Sequence, residues 1–141
     1  MNKEELKNAI LNDKQINTNE VVVASTRMNK PIGYLKQKLD NLNYATNYRL
    51  NRYSLKKNSN HPRVSFYCFN QYAINNVHSH FYVSVPPCYD YDHVLSVMSN
   101  EWAKLNPKFD LFREEVRNAD AYAIYSARQF NNSNTDTFQV I

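Results

Sequence analysis

VHSHFYVSVPP, residues 77–87, changes character with every residue. Successive side chains of a strand point to opposite faces. Val77, Phe81, Val83 and Val85 therefore share an apolar side, and His78, His80, Tyr82 and Ser84 a polar one. The apolar side is expected to pack on a core. The two histidines look the other way, either toward water or toward a ligand.

The flanking segments supply partners for this strand. Upstream, RVSFYCF (Arg63 to Phe69) reads as a second strand, with QYAINN as a polar connection into the histidine strand. A short connection between adjacent strands implies an antiparallel pair. Before the polar stretch LKKNSNHP, Pro31 suits a helix start, and Ile32, Leu35, Leu39 and Leu42 follow at spacings of three and four. The β-branched run from Val21 to Thr26 reads as a buried strand. Leu6, Ile10 and Leu11 mark a short leading helix, Lys3 to Asn12, whose Glu4 and Glu5 suit its positive end. Downstream, Asp90 or Asp92 can cap a helix running through Val94, Val97, Met98, Trp102 and Leu105. KFDLF is a short strand, a last helix is expected near Glu114 to Phe130, and TDTFQVI closes the sheet. The predicted class is α+β: an antiparallel, ferredoxin-like or RRM-like sheet of about five strands with helices packed on it. It forms one domain over residues 1–141, with a helical extension at 1–18.

Eleven tyrosines and seven phenylalanines predict a packed fold. No apolar run approaches the roughly 18 residues of a membrane span, and the first residues lack the apolar core of a secretory signal, so no membrane partner and an intracellular setting are expected. Cys68 and Cys88 lack metal-site spacing and read as reduced thiols. Net charge is +4, unevenly distributed. Arg27, Lys30, Lys36, Lys38, Arg49, Arg52, Lys56, Lys57 and Arg63 are opposed between positions 27 and 63 only by Asp40, so this segment carries +8 and the remainder −4. Tyr34, Tyr44, Tyr48 and Tyr53 are interleaved with these cations. Counter-charge for phosphates and flat rings for bases are what a single strand of nucleic acid requires.

Histidines two apart on one strand can serve one divalent ion. In DAYAIYSARQF, Tyr122, Tyr125 and Arg128 recur at spacings of three, on roughly one helical face. A phenolate beside a cation can attack a phosphodiester, and most of the other tyrosines are expected to be core.

With these residues in place, the chain resembles the HUH endonucleases, the rolling-circle replication initiators (Rep proteins) of small single-stranded DNA viruses and plasmids. His78-Ser79-His80 is similar to the His-hydrophobic-His strand of that family, with serine in the middle. Tyr125-Ser-Ala-Arg128 is similar to its YxxK helix, with arginine for lysine, and Val21 to Arg27 would occupy the first motif. The spacing from Tyr125 to the terminal TDTFQVI also resembles the family and favours Tyr125 over Tyr122 as nucleophile. The resemblance implies a metal-dependent nickase and ligase acting through a 5′-phosphotyrosine link. Tyr125 attacks, Arg128 steadies charge, and His78 and His80 hold Mn²⁺ or Mg²⁺. The family glutamate falls at Asn70 here, with Gln71 as the other candidate third ligand. The basic stretch would hold single-stranded DNA. The setting implied is the cytoplasm of a prokaryotic host or the nucleus of a eukaryotic one, with a host replication helicase or polymerase as partner. No GxxxxGK[ST] loop is present, so this chain carries no nucleotide-driven helicase motif.

The competing expectation is a non-catalytic nucleic-acid-binding module on a similar sheet, with Tyr67, Phe69 and Tyr82 stacking bases.

Overall fold

A computed structural model describes residues 3–57, 60–73, 75–118 and 138–141. The element order is α1 (Lys3–Asn12), β1 (Glu20–Ser25), α2 (Ile32–Leu50), a 3-10 turn (Arg52–Leu55), β2 (Ser65–Ala73), β3 (Asn76–Ser84), α3 (Tyr91–Leu105), β4 (Asp110–Glu115) and β5 (Phe138–Val140). The strands form one antiparallel sheet in the order β4-β1-β3-β2-β5. From β1 to β4 this is the split β-α-β arrangement of ferredoxin-like folds, with β5 added beside β2. The histidine strand β3 is therefore central, paired on both sides. No helix among the described residues is long and apolar enough to cross a membrane.

Alternation divides the sheet's side chains between two cores. On one face Val22, Ala24, Phe66, Cys68, Phe81 and Val83 meet Ile32, Leu35, Leu39 and Leu42 of α2 and Val94, Met98 and Trp102 of α3. Every apolar position that the spacing placed on α2 is buried there. On the other face Val21, Val23, Phe69 and Tyr82 pack with Leu6 and Ile10 of α1 and with Ile16. The leading helix is thus the cover of the second face. A clamp fixes it: Asp13 Oδ2 accepts from Tyr67 Oη at 3.1 Å and Ser84 Oγ at 3.3 Å, and Val85 N donates to Gln15 O at 3.0 Å.

Two expectations need correction. The sequence pattern places Glu114 and Glu115 in a helix, yet both lie in β4, where Glu115 opposes Glu20 and Glu114 opposes Val21. Pairing with the free edge of β1 outweighs the helical propensity of this acidic stretch, and Arg113 reinforces it through Glu20 at 2.6 Å and Asp92 at 2.9 Å. QYA, read as connection, instead extends β2 to Ala73. The turn is short, because Ala73 directly opposes Asn76, and Asn75 takes φ 58°, a left-handed conformation that asparagine tolerates. Asp90 caps α3, accepting from His93 N at 2.9 Å. The rest of the expected last helix, from 119 to 130, lies outside the described residues. Cys68 and Cys88 are both free thiols, Cys68 being buried.

Entry into β2 depends on one buried amide. Asn47 Oδ1 accepts from Val64 N at 2.8 Å while its Nδ2 donates to Val64 O at 3.0 Å. Asn43 Nδ2 reaches the same carbonyl at 3.0 Å. Asn47→Ala leaves the Val64 N–H buried without its acceptor, so it is expected to lower stability by about 2–4 kcal/mol. The check is a shift of the urea midpoint at unchanged m-value.

Candidate functional site

Register decides which residues accompany the histidines. His80 opposes Val23 of β1 and Phe69 of β2; His78 opposes Ser25 and Gln71. Directly paired residues share a face. His78, His80, Gln71 and Ser25 are therefore neighbours on the α1 side of the sheet, beside the cover of Leu6 and Ile10. The imidazole centroids are 5.3 Å apart with the rings at 74°. Both histidines are half-buried, whereas Gln71 is 3 % exposed. None of Gln71, His78 and His80 lacks an interaction partner. The end of β1 is held in place at the His78 level: Asn76 Oδ1 accepts from Ser25 Oγ at 2.9 Å and from Arg27 N at 3.1 Å.

Asn70 is not part of this group. It opposes Ser79, which opposes Ala24, and that row belongs to the face covered by α2 and α3. The expected His78, His80, Asn70 set is thus divided between the two sides of the sheet. Gln71, one residue later, has the register the third position requires. Ser79 is fully buried on the helix side, where its small side chain fits beside Cys68.

The donors can be tested against a divalent ion. An ion about 2.1 Å from a ring nitrogen lies roughly 3.2 Å from the ring centre, so two ligating rings have centres no more than about 6.5 Å apart. The 5.3 Å separation meets that limit. Two imidazole nitrogens and the Gln71 amide oxygen make a neutral donor set. Among the described residues no group of three His, Cys, Asp or Glu side chains converges as a metal site. Such a set fits an ion held weakly and supplied by the medium, its charge left uncompensated for an anionic substrate.

The tyrosines of this face are poor nucleophiles. Tyr82 is 1 % exposed, and burial pushes its phenol up to about 12. Burial, with the Asp13 carboxylate accepting a hydrogen bond from its hydroxyl, also raises Tyr67. Both stay protonated at neutral pH. Tyr122, Tyr125 and Arg128 lie outside the described residues. In sequence they fall between β4 and β5, the two edge strands, and the first residue of β5, Phe138, opposes Phe69, which opposes His80.

Base stacking on Tyr67, Phe69 and Tyr82 requires accessible ring faces. Phe69 and Tyr82 are each 1 % exposed, within the cluster formed with Leu6 and Ile10. Two of the three rings of the competing expectation are therefore core, and Tyr67 is half-buried against them with its hydroxyl on Asp13.

The basic segment divides into parts. Arg27, at φ 52°, pairs with Asp110 at 2.6 Å. Lys30 and Lys38 sit 5.5 and 5.2 Å from the Tyr34 ring centroid. Arg49 bridges to Glu101 at 3.2 Å. Arg52 and Lys56 lie 5.0 and 4.7 Å from the Tyr53 centroid, and Lys57 and Arg63 are exposed. Lys36 sits half-buried on α2. Because α2 packs on the face opposite the histidines, the cations carried by α2 and its following turn are separated from His78 and His80 by the sheet. Sequence order gave no sign of that separation. Comparison of the chain with family models, with curated proteins and with solved structures returned no match.

Proposed function

We propose that the protein is a metal-dependent, sequence-specific single-stranded DNA endonuclease that nicks and rejoins DNA through a 5′-phosphotyrosine intermediate, and so initiates rolling-circle replication. The observation that carries this reading is the pairing of His78 and His80 on one face of the central strand, 5.3 Å apart, with Gln71 opposite His78. His78, His80 and Gln71 would hold the ion, which when bound polarises the non-bridging oxygens of the scissile phosphate. The chain's own chemistry then rests on Tyr125. Its phenolic oxygen attacks phosphorus after losing its proton, the bond from phosphorus to the 3′ oxygen breaks, and that oxygen leaves as a 3′-hydroxyl after taking up a proton. One ester replaces another, so the reverse attack reseals the strand. Arg128 stays protonated throughout and serves by charge.

Tyr125 is favoured for this chemistry by Arg128 three residues further on, whereas burial raises the phenols of Tyr67 and Tyr82 on the histidine face above the ordinary value. The test uses chelated protein and a pool of random-sequence single-stranded oligonucleotides. Adding Mn²⁺ is expected to produce cleavage with a protein band shifted by covalent DNA after denaturation, and Mg²⁺ a weaker response, because two of the donors are nitrogens. Cleavage undiminished in excess chelator contradicts the metal role.

A further inference from the structure

We infer that the outer face of α2 and the turn that follows it form a second binding strip for single-stranded nucleic acid, separate from the histidine face. Tyr44 and Tyr48, one helical turn apart, are 59 % and 53 % exposed. Their rings are nearly parallel, at 13°, with centroids 6.4 Å apart. The two exposed rings thus present flat faces of like orientation on one side of α2, on which bases can stack. The strip continues into Arg52, Tyr53 and Lys56, where the two cations flank a ring that is 45 % exposed.

Charge selects the occupant. Between Asn41 and Arg63 the chain has five cations and no acidic residue. Glu101, which reaches this helix from α3, is engaged by Arg49 and Lys104. Asp40, one turn before Tyr44, accepts from Gln139 Nε2 at 3.2 Å. The partner is therefore a polyanion. It also presents flat rings, because the exposed side chains from Asn41 to Lys57 are tyrosine, asparagine, arginine and lysine, with none of the exposed leucine, phenylalanine or tryptophan that a membrane-seated helix inserts. A helix and the sheet beneath it put this strip on the order of 15 Å from the histidine face. One nucleotide cannot touch both, so the strip anchors a part of the strand flanking the part presented to His78 and His80. This inference shares its partner class with the proposed endonuclease and is independent of its chemistry.

The test is fluorescence anisotropy of a labelled oligothymidine with the whole protein. Tyr44→Ala/Tyr48→Ala is expected to weaken binding on the order of tenfold or more, while Tyr44→Phe/Tyr48→Phe keeps wild-type affinity, because stacking needs the ring and not the hydroxyl. Both positions are more than half exposed, and matching thermal unfolding of the two double variants controls for folding. Arg52→Gln/Lys56→Gln is expected to flatten the dependence of log affinity on log salt by about 1.4, for two phosphate contacts to a single strand. Unchanged affinity in the alanine double variant overturns the inference, as does binding to phosphatidylserine vesicles with none to the oligonucleotide. Tyrosine-dependent binding without any cleavage upholds the strip and counts against the endonuclease alone.

Discussion

Tyr125→Phe is expected to abolish nicking and the covalent adduct, a loss of at least about a thousandfold, while affinity for single-stranded DNA and for Mn²⁺ stays within twofold of wild type. The substitution removes one oxygen, the atom proposed to bond to phosphorus, and keeps the ring. Tyr122→Phe is expected to retain most activity, because Tyr125 has Arg128 three residues further on and the family-like spacing to Thr137-Phe138-Gln139. Tyr67→Phe serves as a comparison. Its hydroxyl is engaged by Asp13, so that variant loosens the α1 clamp and leaves the adduct intact. Time courses of adduct formation on a denaturing gel separate the three.

His78→Ala and His80→Ala are each expected to reduce metal-dependent cleavage by about a hundredfold or more, with Mn²⁺ affinity falling in parallel. Both side chains are half-buried on the face opposite the main core, so folding is expected to survive. Gln71 and Asn70 sharpen the test. Gln71→Ala is expected to weaken Mn²⁺ binding about tenfold. Asn70→Ala leaves metal affinity unchanged and instead lowers stability, since Asn70 is fully buried on the helix side. Isothermal titration with Mn²⁺ reads all four variants. An Asn70 variant that loses metal while the Gln71 variant does not would reverse the assignment of the third ligand.

The difference between Asn70 and Gln71 shows where sequence reading stops. Alternation in VHSHFYVSVPP was enough to place the histidines opposite the apolar core, and the spacing of Ile32, Leu35, Leu39 and Leu42 was enough to seat α2 on that core. Which residue of β2 joins the histidines depends on register, and register depends on where the hairpin turns. With the turn closing between Ala73 and Asn76, a residue eight before His78 falls on the wrong face and one seven before it on the right face. The cue lay in β2 itself: Phe66 and Cys68 alternate with Tyr67 and Phe69, and extending that alternation puts Gln71 with Phe69.

The role of α1 was legible in a different place. Val21 to Ala24 are apolar on both sides of the strand, so both faces of β1 had to be covered, and Leu6 and Ile10 were available to cover the second. Burial of Phe69 and Tyr82 follows from the same fact. Net charge by segment located the cations correctly along the chain but said nothing of which layer carries them. That information is tertiary: α2 lies across the sheet from the histidines, and Glu101 and Asp110 neutralise Arg49 and Arg27 from elements remote in sequence.

The most direct measurement is mass spectrometry of the protein after incubation with Mn²⁺ and single-stranded DNA, denaturation, digestion and fragmentation of the peptide that spans Tyr122 and Tyr125. The expected result is a nucleotide on Tyr125, formed with metal and absent in chelator. DNA bound at full affinity with no nucleotide on either tyrosine contradicts the endonuclease reading.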